Sequence, residues 1–577
     1  MAIRIVMILL GLSLILAVAC GRTPAAPELT AAPAAEPTTA PVVGETVQPT
    51  AAPQAVAPPA DVEVNPGKLT IMVGDFATER FDVVFVGGAV GGLNYGRIAH
   101  GFLISENKER EMLPGIAEDW SLSDDGLTWT FTIREGVKWH DGSELTPEDV
   151  FWTLQHYYGP HAMEYDLSLI AKVFRVLDGD GIELSEPNTV SLTTTSPVVD
   201  LGIIVSEAGP YWYPVLPMRT EVHDEEDEVA YDNNPVGAGP MKLVSRSPAQ
   251  VMNFERFDDF YYQPDNGFPE DKRVKFQSLD MFLVPEEATR VAALRAGEAD
   301  IVPANLPSRQ QVETGGGRLI FAPEGVYVWV RLLGCYEPQY PCHDKRVRQA
   351  LDYAIDKELI RDQLYGGSEV FDVRGWYAVT PGSTGYTPEL DWYYDPDKAR
   401  QLMADAGYPG GQGFGKLILN THPSSAIPFQ VEAAQLGAEF WKRELGLDVE
   451  VRVGDSVGIK EKEVAGELNG QIIWRENRTA KDAASTIATV FGEPTRPDPV
   501  HQDPELFRLV DETVRIVDEQ KRAEALEKLA LRLRDESYFL GVGYANIPWG
   551  VGPRVETWEP YPMATYPSAL HTITLRR

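Results

Sequence analysis

Apolar positions along this chain switch between a period of two and a period near 3.6, with no short repeat. "KLTIMVG" from Lys68 reads as an early strand. From Leu127, the side chains of Leu127, Trp129, Phe131 and Ile133 alternate with threonines, the pattern of a half-buried strand. "TVSLTTT" from Thr189 predicts another. Between them "TPEDVFWTLQHYY" predicts a helix with Thr146 as N-cap, Pro147 as first helical residue and Asp149 as the acid that reaches back in a capping box. Further on, "DKRVRQALDYAIDKELIRDQL" places Val347, Ala350, Leu351, Ala354, Ile355 and Leu359 on one helical face. Asp395 and Pro396 open the next helix and Gly407 closes it. A helix from Phe429 to Glu444 stops at Gly446, and "LDVEVRV" follows as a strand with Leu447, Val449, Val451 and Val453 on one side. Two helices fill Pro504 to Glu536. The alternation is that of an α/β protein.

The ends of the chain have a different character. "MAIRIVMILLGLSLILAVAC" carries one early cation, Arg4, an apolar run and small residues before Cys20, which predicts an export signal over 1–19. Ala17-Val18-Ala19-Cys20 resembles a bacterial lipobox, so Cys20 is the expected lipidation site; ordinary secretion with a leftover cysteine is the alternative. Residues 20–67 are rich in Pro, Ala and Thr and predict an extended, unfolded tether. Outside the cytoplasm the close pair Cys335 and Cys342 is expected to oxidise to a disulfide. A formal net charge of -35 over 577 residues argues against nucleic acid and against electrostatic binding to anionic lipid.

Three stretches carry residues that could do chemistry. "VKWHDGSELTPEDV" sets His140 beside Asp141, Ser143 and Glu144, but Asp141-Gly142 is a turn dipeptide and the rest is a helix start. "VGDSVG" holds Ser456 in a G-x-S-x-G match between a strand and a helix, with His501 and His571 later in the chain, so a secreted serine hydrolase is the enzyme alternative. No oxyanion loop of the HGGG type accompanies it. "VGGAVGGLNYG" from Val86 lacks the Lys-Ser/Thr of a P-loop. The nine histidines show no H-E-x-x-H spacing, and no metal or cofactor is expected. Tyr211 and Trp212 in "GPYWYPVLP", and Trp376 and Tyr377 in "VRGWYAVTPGS", lie between regular elements, where flat side chains suit a permissive pocket; the alternative is core packing.

Five segments in order resemble one family. They are "LPGIAEDWSLSDDGLTWTFTIREGVKWHDGSELTPEDVFWTL", "NPVGAGPMKLVS" with "FERFDDFYY", "ATRVAALRAGEADIV", "HDKRVRQALDYAIDKELI" and "YYDPDKARQLMADAGYPGGQGF". The family is the extracytoplasmic solute-binding proteins of peptide/nickel-type ABC importers, family 5. The resemblance implies a two-lobed, type II clamshell fold with an extra inserted subdomain. It implies lobe I at 68–108, 232–330 and 541–577, an insertion at 109–231, and lobe II at 331–540. It also implies a monomer, tethered outside the cytoplasmic membrane, that closes on a peptide or related small polar solute and delivers it to separate permease and ATPase chains; a solute sensor or chaperone-like binding protein on the same fold is the alternative. Tyr95 falls in a region that lies near the cleft in this family. Peptide-binding relatives carry "GW..D", whose Asp meets the peptide's amino group. The nearest match here, "IIWRENRTAKD", has Trp474 and then Asn477 at the acidic position; Glu476 or Asp482 would substitute with a shifted loop. Arg475 and Arg478 would suit a carboxylate or phosphate on the ligand, or face solvent. The expected cleft surrounds Trp376 and Trp474.

Overall fold

The computed structural model describes residues 67–576 except 77–78, 83–89, 159–180, 186, 195–196, 198, 200–201, 203–204, 208–227, 392, 425–426, 480 and 492–502. The export signal, Cys20, nearly all of the tether, Tyr211, Trp212 and His501 therefore lie outside the described residues.

One large mixed sheet runs through the body. Its strands, numbered here in chain order, are β1 (Lys68–Val73), β2 (Met241–Ser247), β3 (Val251–Arg256), β4 (Ser278–Leu283), β5 (Ile301–Pro303), β6 (Arg318–Leu332), β7 (Phe371–Asp372), β8 (Lys416–Thr421), β9 (Asp448–Val453), β10 (Ile472–Arg478) and β11 (Phe539–Val551). They are ordered β9-β8-β10-β6-β11-β5-β1-β4-β3-β2, with β7 paired to β11. The two long central strands, β6 and β11, are antiparallel and belong to both halves. Arg318–Ala322 pairs with Ile547–Val551, and Val326–Arg331 pairs with Phe539–Ala545. In the β6 half beyond Val326, the even-numbered side chains Val326, Val328, Val330 and Leu332 face one core, while Tyr327 and Trp329 face another. The period-two pattern thus builds a strand covered on both sides.

A separate four-stranded antiparallel sheet is formed by Ala117–Leu122, Thr128–Ile133, Thr189–Thr193 and Ile182–Ser185, in that spatial order. Trp129, Phe131 and Ile133 are buried, and the threonines between them are half-buried, as the alternation predicts. Helix Pro147–Tyr158 follows the turn at Gly142, whose φ is +87°. The Asp149 carboxylate accepts from both the backbone N–H (2.9 Å) and the hydroxyl (3.0 Å) of Thr146, so the acid does reach back. The His140-Asp141 pair is not a catalytic dyad. Asp141 is exposed and accepts from the backbone and hydroxyl of Ser143 (3.0 and 2.6 Å), while His140 is buried with its Nε2 3.0 Å from Gly239 O. That imidazole joins the turn to the start of β2.

One helical and one strand expectation change in detail. The single helix expected over 344–364 is broken: Lys345–Tyr353 ends, Asp356 caps a new turn by accepting from Leu359 N–H (2.9 Å), and Lys357–Ile360 runs into a wider turn at Arg361–Tyr365. The break lets Lys357 reach Asp352 at 2.9 Å, with both side chains buried. Burial along β9 fades toward its end, and Val453 is 53% exposed because β9 is an edge strand. Helices Pro396–Asp405 and Gln430–Leu445 form as expected, with Asp395 capping Lys398 N–H (3.0 Å) and Gly446 at φ +69°. Among the described residues, no helix is long and apolar enough to cross a membrane.

Burial holds the His140 imidazole down at about 4, because the enclosed ring has no water to solvate its charge. The unfolded chain takes up this proton near the ordinary histidine value of about 6.5, and the folded chain does not. Stability should therefore fall as pH drops through the window from about 6.5 to 4, by no more than about 3 kcal/mol from this group. Unfolding free energies measured across that window should show a slope shallower by up to about one proton in His140→Gln.

Candidate functional site

The parallel strands of both halves aim their carboxyl ends at the crossover. In one half β8, β9 and β10 are parallel and end at Thr421, Val453 and Arg478, and Arg478 pairs with Val326 of β6. In the other half β1, β4 and β5 are parallel and end at Val73, Leu283 and Pro303, and Pro303 pairs with Trp549 of β11. Ligands of open α/β sheets bind outside the carboxyl ends of the strands. Two such sheets meeting end to end put those sites face to face at 322–326 and 545–547.

The crossover itself is interrupted. Ala322 pairs with Ile547 and Val326 with Ala545, so Pro323, Glu324 and Gly325 face the single residue Asn546. Proline removes a ladder donor, Glu324 takes a left-handed backbone (φ +56°), and a side chain at position 325 would collide with Ile547. Side chains and loops satisfy the freed backbone groups. Glu324 N–H donates to Asn546 Oδ1 (2.9 Å), Met563 N–H donates to Pro323 O (2.6 Å), and the Thr479 hydroxyl donates to Glu324 O. The Glu324 carboxylate accepts from the Thr380 hydroxyl (2.6 Å) and from Gly382 N–H (3.1 Å). Arg478 Nη2 donates to Thr565 Oγ1 (2.7 Å), tying the end of β10 to the segment after β11.

The aromatic residues singled out from the sequence stand behind these loops. Tyr95 is fully buried against Phe76 and Phe81, and its hydroxyl donates to Phe76 O (3.2 Å), which fixes the loop after β1. Burial raises its phenol well above the ordinary value. Trp376 and Tyr377 are buried in a cluster with Tyr327, Trp329, Phe491 and Phe539, and they anchor the loop that presents Thr380 and Gly382 to Glu324. Trp474 is fully buried under helix Gln430–Leu445, where its indole fills the place a side chain would take at Gly437. Arg475 does not simply face solvent: its Nη1 lies 3.6 Å from the buried Glu463, which Arg331 also pairs with. Asn477 is exposed, and its Oδ1 accepts from Arg478 N–H at 2.8 Å. Cys335 and Cys342 form a disulfide with Cα atoms 5.1 Å apart.

The polar residues at the bulge were not found from the sequence. The signal was present in "RLIFAPEGVYVWVRLL", an apolar strand run broken by Pro323 and Gly325. Ser456, by contrast, is exposed at the start of helix Ser456–Val464 beside an edge strand, and Asp455 caps that helix through Gly458 N–H (2.7 Å). His571 lies elsewhere, with its ring against Tyr561.

A model of the bacterial extracellular solute-binding proteins, family 5 (middle region), matches residues 111–498. The chain belongs to this family. Heme-binding protein A of Haemophilus influenzae is 28% identical over 315 residues, covering 52% of this chain and 54% of that protein. The glutathione-binding protein GsiB of Salmonella typhimurium is 28% identical over 370 residues, covering 63% and 66%. The matched stretch thus spans about half to two thirds of these relatives. Among solved structures, the ABC transporter substrate-binding protein CtaP of Listeria monocytogenes superposes with a TM-score of 0.74 at 20% identity, covering 88% of this chain and 99% of that one. DppA of Helicobacter pylori in complex with peptide STSA gives 0.68 at 19% identity, covering 89% and 98%. This family 5 protein therefore has the two-lobed clamshell fold.

Because the Glu324 carboxylate holds two donors of the 380–382 loop, Glu324→Ala should loosen that loop by about 1 to 2 kcal/mol. Amide exchange within residues 376–385 should rise roughly 5- to 30-fold, with exchange in the four-stranded sheet unchanged.

Proposed function

We propose that this chain captures a small polar solute, by default an oligopeptide, in the cleft at the crossover and delivers it to an ABC permease. The observation that carries this reading is the end-to-end convergence of two parallel strand sets on an interrupted pair of crossing strands. Such a joint suits hinge closure, in which the ligand favours the closed state by contacts it makes only there. Relatives named for heme, glutathione and dipeptide binding support solute capture as the shared role. The chain binds and does no chemistry; the capped, edge-placed Ser456 gives no support to a hydrolase. ATPase and permease are separate chains. Cys20 carries the lipid, residues 20–67 are the tether, and the monomer works on the outer face of the cytoplasmic membrane.

The lobe borders follow from the joint. Residues 109–231 are the insertion that contains the four-stranded sheet. We place the exchange between lobes at 323–325 and 546 rather than at 330/331 and 540/541, because the wider of the two register breaks falls there, the narrower one lying at Val328/Trp329 opposite Gly541–Gly543.

The ligand's amino group needs a carboxylate, since a buried ammonium must be paired. Asp482 is taken: it lies 3.2 Å from Arg522 and caps Ala484 N–H (2.9 Å). Glu476 is the better fit. It is partly open to solvent, accepts from the Ser424 hydroxyl (2.6 Å), and lies 3.9 Å from His422 Nε2, at the carboxyl ends of β10 and β8.

Mass spectrometry of the small molecules that co-purify with the protein should find a pool of short peptides. Glu476→Gln should weaken their binding roughly tenfold or more, and N-acetylation of the peptides should do the same in the unsubstituted protein. A single non-peptide compound would overturn the peptide assignment, and the absence of any bound solute or any peptide affinity would overturn capture.

A further inference from the structure

We propose that the half of the molecule containing β1 holds a second binding site, for one small monovalent anion of halide to formate size. The site is a cavity of about 70 Å3 lined by Arg97, Ser105, Glu207, Lys272, Tyr566 and His571 among others. That is room for a small ion with a water beside it. A drug-sized ligand needs roughly 300 Å3 or more, so this cavity is not the interlobe cleft.

The charges around it balance in number only when the half-exposed Glu270 is counted, and they do not balance in place. Among the described residues, the enclosed cations are Arg97, Arg110 and Lys272, and the enclosed carboxylates are Glu106 and Glu207. Glu106 is matched by Arg110 at 2.6 Å. Glu207 accepts from the Ser105 hydroxyl at 3.0 Å and lies 3.8 Å from Lys272. Lys272 also donates to Ser105 Oγ (2.9 Å) and to Glu106 O, and the half-exposed Glu270 stands 3.8 Å from it. Arg97 is left over. It is 6% exposed, and its Nη1 donates to Glu207 O (3.0 Å) and to the Tyr566 hydroxyl, both neutral acceptors. Its guanidinium carbon lies 4.4 Å from the Tyr566 ring centroid, and its buried Nε has no hydrogen-bond partner among the described residues.

A buried guanidinium stays charged at any physiological pH, so it needs a counter-charge or extensive hydrogen bonding to neutral groups. The protein supplies Arg97 no carboxylate within ion-pair distance among the described residues. An anion in the adjoining cavity would supply it and take up the orphaned Nε–H. His571 does not compete for this role as a cation, because burial depresses its imidazole to about 3 and keeps it neutral. Tyr566 adjoins Thr565, the residue that Arg478 holds across the joint, so the anion would also brace one end of that contact.

Crystals of the full chain grown in bromide test this directly. An anomalous peak within about 3.5 Å of the Arg97 guanidinium is expected, and Arg97→Met should abolish it. In solution, saturating bromide or formate should raise the unfolding midpoint by about 2 °C over gluconate, an anion too large for the cavity, at equal ionic strength. Water alone in the cavity, a peak that persists in Arg97→Met, or equal midpoints in all three salts would overturn the proposal. Should Arg97→Met not fold, the anomalous map of the unsubstituted protein decides.

Discussion

Everything about this molecule's working region depends on the wider of two breaks in the pairing of β6 with β11. β6 and β11 are long enough to serve both halves of the sheet, and at their midpoint three residues of one strand oppose a single residue of the other. A continuous ladder there would weld the two halves into one stiff plate. The bulge replaces ladder bonds with side-chain and loop partners: Asn546, Thr479, Met563 N–H and the carboxylate of Glu324. Bonds of that kind can be exchanged without unzipping the strands on either side, which is what a hinge between two rigid lobes requires. The same residues lie where the carboxyl ends of six parallel strands converge, so the proposed cleft coincides with the joint.

The large aromatic side chains have a supporting part in this arrangement. Tyr95, Trp376, Tyr377 and Trp474 are each at most 3% exposed, and the last three fix elements that carry polar groups to the joint. Tyr95 fixes the loop after β1. Trp376 and Tyr377 fix the loop that meets Glu324, and Trp474 seats β10 under its helix so that Glu476 and Arg478 come out at the strand's end. Packing of this density gives the loops definite positions, and a cleft built from polar groups on well-anchored loops can accept more than one solute.

Much of the fold was legible from periodicity and end signals, because those features are local. Trp129, Phe131 and Ile133 declared one buried face, and Asp395 with Pro396 declared a helix start, without any tertiary information. The broken helix at 354–356 was not legible, since the buried pair it permits, Asp352 and Lys357, forms only when the segment folds against its neighbours. The joint was legible in kind but not in place: Pro323 and Gly325 interrupt an apolar run, yet nothing local reveals that Asn546, some 220 residues later, stands opposite. For the same reason Arg475 looked available from the sequence, and only the fold brings Glu463 to it.

The central claim is that the two halves move about 323–325 and 546 when a solute binds. Val453 and Val244 are exposed and sit on β9 and β2, the opposite edge strands of the sheet, so labels placed there report on the angle between the halves. Pulsed dipolar spectroscopy on Val453→Cys/Val244→Cys in a Cys20→Ser background, with and without the co-purified solute, measures that angle directly. The account predicts that saturating solute moves the whole distance distribution to a new and narrower one. An unchanged distribution at saturating solute would contradict it.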